Sequence, residues 1–298
     1  MARNIRENNT LGIVFMLIAI FMFAVNDVLG KWLVASYHVG LLLFVRSIAA
    51  ILFLCPFILY AGPRSLFDVA YPKLMAVRVL LTAIEISCFY YSVGYMPLAD
   101  AITFWMASPI YVAALSPLLL GEHVGWRRWT AIIVGFIGVL IAMRPSSESL
   151  SLPSIAALVG SLAFALMMIT ARALRNSSDI AMVFWPTTGT ALLGIILLPW
   201  AKAVPAPVDF VMLSMLGIIA LVAHVFTNRS LMLADAATVT PYQYTLLLWA
   251  MIFGWLVFNE TPQITTMIGA ALIVASGLFI FFREQKLGIG RAPPTDIT

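Results

Sequence analysis

Three ionisable residues lie inside long apolar stretches, where water cannot solvate their charges. Asp27, Arg46 and Glu85 are each embedded in a run of mainly apolar residues. On membrane-insertion scales a charged side chain at the centre of such a run costs about 2.5–3.5 kcal/mol, so each of the three needs a partner or a function. A guanidinium can hold a carboxylate, and a carboxyl group can carry a proton or bind an ammonium group.

Asp27 and Arg46 are predicted to lie at similar depth in neighbouring helices. Asp27 comes about six residues before the end of the first apolar run, and Arg46 about seven residues after the start of the second. A structural ion pair is the interpretation that the sequence favours, because pairing makes such groups tolerable in lipid. The alternatives are an outer gate or a substrate-carboxylate site at Arg46.

Glu85 lies about twelve residues into the third apolar run, near its middle. It is equally compatible with a structural carboxyl, protonated or paired, and with a residue on a proton or substrate pathway. Arg78 lies closer to the end of the same run, where its long side chain is predicted to reach the interface.

Four further groups of polar or aromatic residues interrupt apolar segments and are predicted to face the protein interior. The groups are Asn26; Trp105 with Ser108; His224 with Asn228; and Gln243 with Tyr244. His224 and Asn228 are four residues apart, so they share one face of a helix. Each group is a candidate for lining a substrate cavity, and hydrogen bonding between helices is the alternative.

Two prolines fall inside apolar segments and are candidates for gating. Pro109 follows Ser108, and Pro241 precedes Gln243. Proline frees a backbone carbonyl one turn earlier, which can contact substrate, and the bend can act as a hinge. A static kink satisfied by the preceding hydroxyl residue is the alternative.

The elements that position these residues are predicted to be ten membrane-spanning helices. Hydrophobic residues make up 62% and charged residues 10% of the 298 positions, which leaves too little polar surface for a water-soluble fold. Each segment has the roughly 20 apolar residues needed to cross a bilayer. The ten segments are about 11–33, 39–60, 73–95, 99–120, 127–143, 152–174, 180–200, 210–232, 236–258 and 263–282.

The basic residues predict the orientation of these helices. With a cytoplasmic N-terminus, twelve basic residues fall on the inside: Arg3, Arg6, Arg64, Lys73, Arg127, Arg128, Arg172, Arg175, Arg229, Arg283, Lys286 and Arg291. Three fall on the outside, namely Lys31, Arg144 and Lys202. Positive charge concentrates on the cytoplasmic side of membrane proteins, so both termini are predicted to be cytoplasmic.

The two halves of the chain carry the same short motifs in the same order. The matching elements are Leu98-Ala99-Asp100-Ala101 with Leu233-Ala234-Asp235-Ala236, Gly121-Glu122 with Asn259-Glu260, Gly138 with Gly277, and Arg144 with Arg283. Five spans per copy would insert the second copy upside down, as in many transporters. Asp100 and Glu260 are therefore expected outside, and Glu122 and Asp235 inside.

This repeat divides the chain into four regions. They are a cytoplasmic N-terminus at 1–10, a first repeat at 11–144, a second repeat at 145–283 and a cytoplasmic tail at 284–298.

With these motifs the chain resembles the drug/metabolite transporter superfamily, specifically its EamA-type members. The resemblance rests on Lys31-Trp32-Leu33, Phe44-Val45-Arg46, Arg78-Val79-Leu80, Tyr95-Met96-Pro97-Leu98-Ala99-Asp100-Ala101, Leu120-Gly121-Glu122, Trp126-Arg127-Arg128-Trp129 and Gly135-Phe136-Ile137-Gly138-Val139. It implies an all-α membrane fold of two inverted five-helix repeats around a central cavity, working by alternating access. The YddG-type amino-acid exporters look closest in layout.

The expected function is secondary transport of small metabolites, with export of aromatic or other neutral amino acids as the first hypothesis. Uptake or exchange of a nucleoside-like metabolite such as S-adenosylmethionine is the alternative. An intramembrane enzyme is the rival class, but the three histidines His38, His123 and His224 are far apart in the sequence.

The sequence predicts no cofactor and no metal, and its dispersed basic residues argue against binding of nucleic acid. The expected partners are a small-molecule substrate and the lipid bilayer. The protein is expected to be a monomer in the bacterial inner membrane.

Overall fold

The computed structural model describes residues 9–120, 125–143, 151–174, 176–201, 203–234 and 239–286, and most of them are helical. The α-helices are α1 (Asn9–Val34), α2 (Val39–Ala61), α3 (Pro72–Tyr95), α4 (Leu98–Met106), α5 (Ser108–Leu120), α6 (Trp126–Met143), α7 (Leu152–Ala173), α8 (Asp179–Leu197), α9 (Pro207–Leu233), α10 (Thr245–Phe258) and α11 (Ile264–Lys286). Within these described ranges, ten stretches are long and apolar enough to cross a membrane. The ten predicted segments are confirmed to within a few residues, except that the fourth and ninth are interrupted.

Helix ends follow the local sequence. Pro72 and Pro207 start α3 and α9, where a missing amide hydrogen does no harm. His38 and Ser151 precede α2 and α7 and accept hydrogen bonds from the Gly40 and Ser154 amides, which would otherwise lack partners.

Proline interrupts the fourth and the ninth crossing. The fourth crossing consists of α4 and α5, which meet at Ala107, two residues before Pro109. In the ninth crossing a 3₁₀ turn, Thr240–Tyr244, contains Pro241 and leads into α10. Both prolines lie at the start of a helical section, where the missing amide hydrogen of proline is best tolerated.

The packing of the helices has the two-fold pattern of an inverted repeat. α1 packs extensively against α9, and α3 packs extensively against α7. If each crossing is replaced by its counterpart in the other half of the chain, the pair of α1 and α9 becomes the pair of α7 and α3. The pairs α2 with α8 and α6 with α11 are each converted into themselves. Each of these contacts joins one half of the chain to the other, so neither half buries its apolar surface alone.

Two glycines allow α6 and α11 to cross closely. A Cβ atom built on Gly138 would lie 2.9 Å from the carbonyl oxygen of Gly269, and a Cβ on Gly269 would lie 2.6 Å from the carbonyl oxygen of Gly138. The backbones can meet only because neither residue has a side chain, as in other small-residue seams of membrane helices.

Residues that meet between helix ends define the two faces of the molecule. At the Lys31 face, Lys31 contacts Met96 and Glu260, and Thr266 donates a hydrogen bond of 2.8 Å to Asp100. Asp100 and Glu260 therefore share this face, as the repeat predicts. The corresponding predictions for Glu122 and Asp235 lie outside the described residues.

At the opposite face, called the Asp68 face, the turn between α2 and α3 contacts the turn between α7 and α8. The Ser178 amide donates to the Asp68 carbonyl at 2.9 Å, and Trp185 Nε1 donates to the Leu66 carbonyl at 2.8 Å. α1 begins at this face, where Ser230 donates to the Gly12 carbonyl at 2.6 Å.

Candidate functional site

Arg46 is buried, and it has no ion-pair partner among the described residues. Its guanidinium lies over the Tyr90 ring, 5.4 Å from the ring centroid. Within the described part of the chain, its Nη1 atom has no hydrogen-bond acceptor. The Asp27 carboxylate oxygens lie more than 4 Å from the guanidinium nitrogens. The structural ion pair that the sequence favoured for Asp27 and Arg46 is therefore not formed in this structure.

Arg46, Asp27, Glu85 and Tyr90 nevertheless form one electrostatic group, here called the central cluster. Asp27 interacts with both Glu85 and Arg46, and the Tyr90 side chain experiences all three charges. The four residues come from α1, α2 and α3. The cluster thus combines one guanidinium and two carboxyl groups around a buried phenol.

Close packing of the backbone positions Arg46. A Cβ atom on Gly217 of α9 would lie 2.9 Å from the carbonyl carbon of Arg46, so α9 reaches α2 at this point only because position 217 is glycine. One residue earlier on α9, the Leu216 carbonyl accepts a hydrogen bond of 2.7 Å from Asn26. Asn26, a predicted cavity residue, therefore ties α1 to α9 beside the cluster.

Trp105 extends the cluster with an aromatic wall. Its Nε1 atom donates a hydrogen bond of 2.9 Å to Glu85 Oε1, so two residues predicted to line the site are in direct contact. The Phe89 ring packs edge-on against Trp105, with centroids 5.1 Å apart. An indole beside a carboxylate offers an apolar surface and a negative charge to the same ligand.

His224 on α9 lies near the central cluster. The charges of Arg46 and Arg78 act on its imidazole, and the Phe23 ring packs against it with centroids 5.0 Å apart. Yet His224 is exposed, as is Asn228 one turn further along α9. That His224 and Asn228 line a substrate cavity stays a prediction.

Three predicted site residues lie apart from the cluster. Within the described residues, no hydrogen bond or ring contact joins Ser108, Gln243 or Tyr244 to it. Ser108 is buried at the junction of α4 and α5, and Gln243 is half-buried in the 3₁₀ turn. The Tyr244 hydroxyl lies against Gly277 of α11, where a side chain would displace it. Their assignment to the substrate site stays a prediction, as do gating roles for Pro109 and Pro241.

Arg78 differs from its prediction. Its Nη1 atom donates a hydrogen bond of 2.7 Å to the Met167 carbonyl of α7 instead of reaching the interface. Lipid offers no acceptor along α3, so the side chain turns to a backbone carbonyl of the neighbouring helix.

Two features of the site were missed by sequence reasoning. Tyr90 is one tyrosine among nine, and nothing in its local sequence distinguishes it. Lys31 and Glu260 were placed on one face, but their direct contact brings together residues from the two ends of the chain and could not be inferred from either segment.

Tyr37 is a titratable group outside the spanning segments whose pKa is perturbed. Tyr37, in the turn after α1, donates a hydrogen bond of 2.6 Å to Asp209 Oδ2 at the start of α9. This hydrogen bond to a carboxylate raises the pKa of the Tyr37 phenol, because the bond is lost when the phenol ionises.

Comparison with known proteins identifies the family. Residues 10–144 and 152–282 each match the EamA-like transporter family, so the chain belongs to this family and contains its unit twice. It is a membrane transporter of small metabolites rather than an enzyme.

Individual relatives cover nearly the whole chain. The chain is 26% identical to the S-adenosylmethionine uptake transporter of Rickettsia prowazekii over 276 residues, covering 92% of this chain and 94% of that protein. It is 27% identical to the riboflavin transporter of Rhizobium johnstonii over 279 residues, covering 92% of each chain. A protein crystal structure superposes with a TM-score of 0.65 at 13% identity, covering 92% of this chain and 98% of the other, which supports the fold alone.

Proposed function

We propose that this transporter carries, by alternating access, a metabolite with an amino-acid head group, and that S-adenosylmethionine is the first candidate. The observation that carries the proposal is the central cluster. There the buried Arg46 guanidinium has no ion-pair partner within the part of the chain that the structure describes, and two carboxyl groups lie near it. An amino-acid head group supplies a carboxylate and an ammonium group, which are the complementary charges.

The energetics favour a substrate carboxylate at Arg46. An unpaired charge within a membrane protein is costly, and a ligand that supplies the missing partner recovers part of that cost. Arginine also binds carboxylates through two parallel hydrogen bonds, which fixes the orientation of the ligand. The Tyr90 ring beneath the guanidinium keeps it from rotating freely.

The balance of charge favours a substrate with an extra positive charge. The cluster offers two carboxyl groups, Asp27 and Glu85, to one guanidinium, and a neutral amino acid brings only one ammonium group. S-adenosylmethionine brings a sulfonium cation as well, and its adenine ring can stack on aromatic side chains such as Phe23 or Trp105. Similarity to an S-adenosylmethionine uptake transporter over nearly the whole chain agrees with this choice.

Export of aromatic or other neutral amino acids is the second candidate. The wall formed by Phe89 and Trp105 next to Glu85 favours it, because it provides an apolar surface beside a site for an ammonium group. Both candidate substrates have an amino-acid head group. They differ in the rest of the molecule that the site must accommodate and in the direction of transport.

The proposed setting is a bacterial inner membrane, with both termini in the cytoplasm. The asymmetry of basic residues in the loops supports this orientation. The Lys31 face would then be periplasmic and the Asp68 face cytoplasmic.

The test is transport by purified protein in liposomes. Vesicles loaded with unlabelled S-adenosylmethionine should exchange it for radiolabelled S-adenosylmethionine outside, and Arg46→Met should abolish the exchange. Arg64→Gln, at an exposed arginine of the Asp68 face, serves as the matched control and should exchange normally.

Competition separates the two candidates. If millimolar phenylalanine or leucine leaves the exchange of S-adenosylmethionine unchanged, the amino-acid hypothesis fails. If labelled amino acids exchange and S-adenosylmethionine does not, the order of the candidates is reversed. If neither exchanges in vesicles that contain folded protein, the proposal of an amino-acid head group is refuted.

A further inference from the structure

A network of four residues, here called the Lys31–Glu260 latch, links helix ends at the Lys31 face. Lys31 Nζ lies 2.7 Å from Glu260 Oε1 and donates a hydrogen bond of 2.6 Å to the Met96 carbonyl. The other carboxylate oxygen of Glu260 accepts a hydrogen bond of 2.9 Å from the Leu98 amide. The side chains of Lys31 and Glu260 are only 10% and 23% exposed, so water competes weakly for these contacts.

The latch connects the two repeats. Lys31 is at the end of α1, and Met96 and Leu98 flank the turn between α3 and α4, all in the first repeat. Glu260 follows α10 and belongs to the second. Leu98 is the first residue of α4, so Glu260 provides this helix with a cap that its own sequence lacks, because Pro97 has no suitable side chain.

Local structure holds Glu260 in place for this role. The preceding residue, Asn259, has a left-handed backbone conformation with φ of 54°, which asparagine tolerates better than other residues with a side chain. This turn folds Glu260 back over the end of α10, where its amide donates to the Gly254 carbonyl at 2.9 Å. Lys31 Nζ also lies 5.2 Å from the centroid of the Phe258 ring.

The latch lies directly above the central cluster. Lys31 comes four residues after Asp27 on α1, a rise of about 6 Å along the helix. A ligand moving from the cluster to the Lys31 face would therefore meet these helix ends first. The latch holds α1, the α3–α4 turn and α10 together at that point.

We propose that the Lys31–Glu260 latch is the gate of the transport pathway at the Lys31 face. Opening to this face requires the carboxylate of Glu260 to leave both Lys31 and the Leu98 amide. Without the latch, the population of molecules open to the Lys31 face increases. The inference rests on the proposed function only in that the pathway passes through the central cluster.

The experiment measures access to the cluster without any substrate. Cys55 and Cys88 are replaced by alanine, and His224→Cys places a single cysteine at an exposed position of α9 that is predicted to line the cavity beside the cluster. A membrane-impermeant maleimide is then added to the Lys31 face of sealed vesicles, and the labelling rate is compared between the latch variants Glu260→Gln and Lys31→Met and the parent. The vesicles are prepared in both orientations.

We expect both latch variants to be labelled from the Lys31 face about tenfold faster than the parent, which corresponds to a shift of about 1.4 kcal/mol in the opening equilibrium. Labelling from the Asp68 face should slow down. Tyr37→Phe is the matched control. It removes a hydrogen bond at the same face, but this bond joins the α1–α2 turn to α9. Because α1 and α9 also pack extensively against each other, they do not depend on this bond to stay together. It should leave the rate unchanged.

Labelling of the folded latch variants at the parent rate would overturn the proposal, and so would an equal increase in Tyr37→Phe. Folding is checked by gel filtration, and one folded latch variant is sufficient because either substitution breaks the ion pair. If neither variant folds, Glu260→Asp is used, because it keeps the charge but shortens the side chain. It must increase the labelling rate; otherwise the proposal fails. Since no substrate is present, failure of S-adenosylmethionine exchange would leave these results unaffected.

Discussion

Gly30→Ala adds one methyl group where α1 touches the Tyr90 ring. A Cβ atom at position 30 would lie 3.2 Å from Tyr90 Cδ1 and 3.4 Å from Cζ, and closer still to Cε1. Optimal contacts between carbon atoms are about 3.5–4.0 Å, so the ring must move. Tyr90 is 2% exposed, which leaves it no free space. Such overpacking typically costs about 1–3 kcal/mol of folding free energy.

The displaced ring should also weaken the substrate site. The Arg46 guanidinium is 5.4 Å from the Tyr90 centroid, close to the limit of about 6 Å for a cation–π contact, which is worth about 0.5–2 kcal/mol. Losing this support should raise the Kd for a ligand held by Arg46 roughly 2- to 30-fold. The measurements are binding of radiolabelled S-adenosylmethionine to purified protein and the melting temperature in detergent, both of which should worsen.

Gly94→Ala is the matched control. It lies on the same interface between α1 and α3, but its added Cβ atom would meet only Val34, with the nearest atom at 3.4 Å. It should therefore melt and bind as the wild type does. The reasoning would be refuted if Gly30→Ala kept the wild-type melting temperature, or if both glycine substitutions had the same effect.

Three further substitutions test separate parts of the structure. Arg46→Met should weaken binding of S-adenosylmethionine about 10- to 100-fold by removing a charged hydrogen-bond donor, and unchanged equilibrium binding would contradict the assigned carboxylate site. Gly277→Ala should displace the Tyr244 hydroxyl that lies against it and cost about 1–3 kcal/mol of stability, which an unaltered thermal melt would disprove. Ser230→Ala removes the hydrogen bond to the Gly12 carbonyl and should cost about 0.5–1.5 kcal/mol in a detergent unfolding titration, whereas a loss above about 3 kcal/mol would show that this hydroxyl does more than join two helices.

The membrane fold could be predicted from the sequence because its cause is local. Every crossing must satisfy its backbone hydrogen bonds within one helix and expose apolar side chains to lipid, so about 20 apolar residues predict a span wherever they occur. The interruption of the fourth crossing at Ala107 was signalled by Pro109, again a local effect. Asn259, which stands in the second repeat where the first has Gly121, has a left-handed backbone conformation with φ of 54°, which asparagine tolerates better than other residues with a side chain.

The candidate site could be predicted only in part. Asp27, Arg46 and Glu85 were recognisable because charges are rare in apolar segments, and the structure brings them together. The choice between an ion pair and an unpaired arginine could not be made, because it depends on Tyr90 and on how closely α9 approaches α2. Arg78 was misjudged for the same reason, since its acceptor is a carbonyl on another helix.

By itself the sequence determined the number of crossings, the duplicated halves and the short set of charged residues that must avoid lipid, because each of these follows from hydropathy along the chain. Tertiary structure alone decided which charges meet. It placed Arg46 over Tyr90, with no ion-pair partner among the residues described, and joined Lys31 to Glu260 across the two repeats. The physical reason is that an ion pair forms over a few ångströms, and distances on that scale between distant segments depend on helix packing, which no single segment encodes.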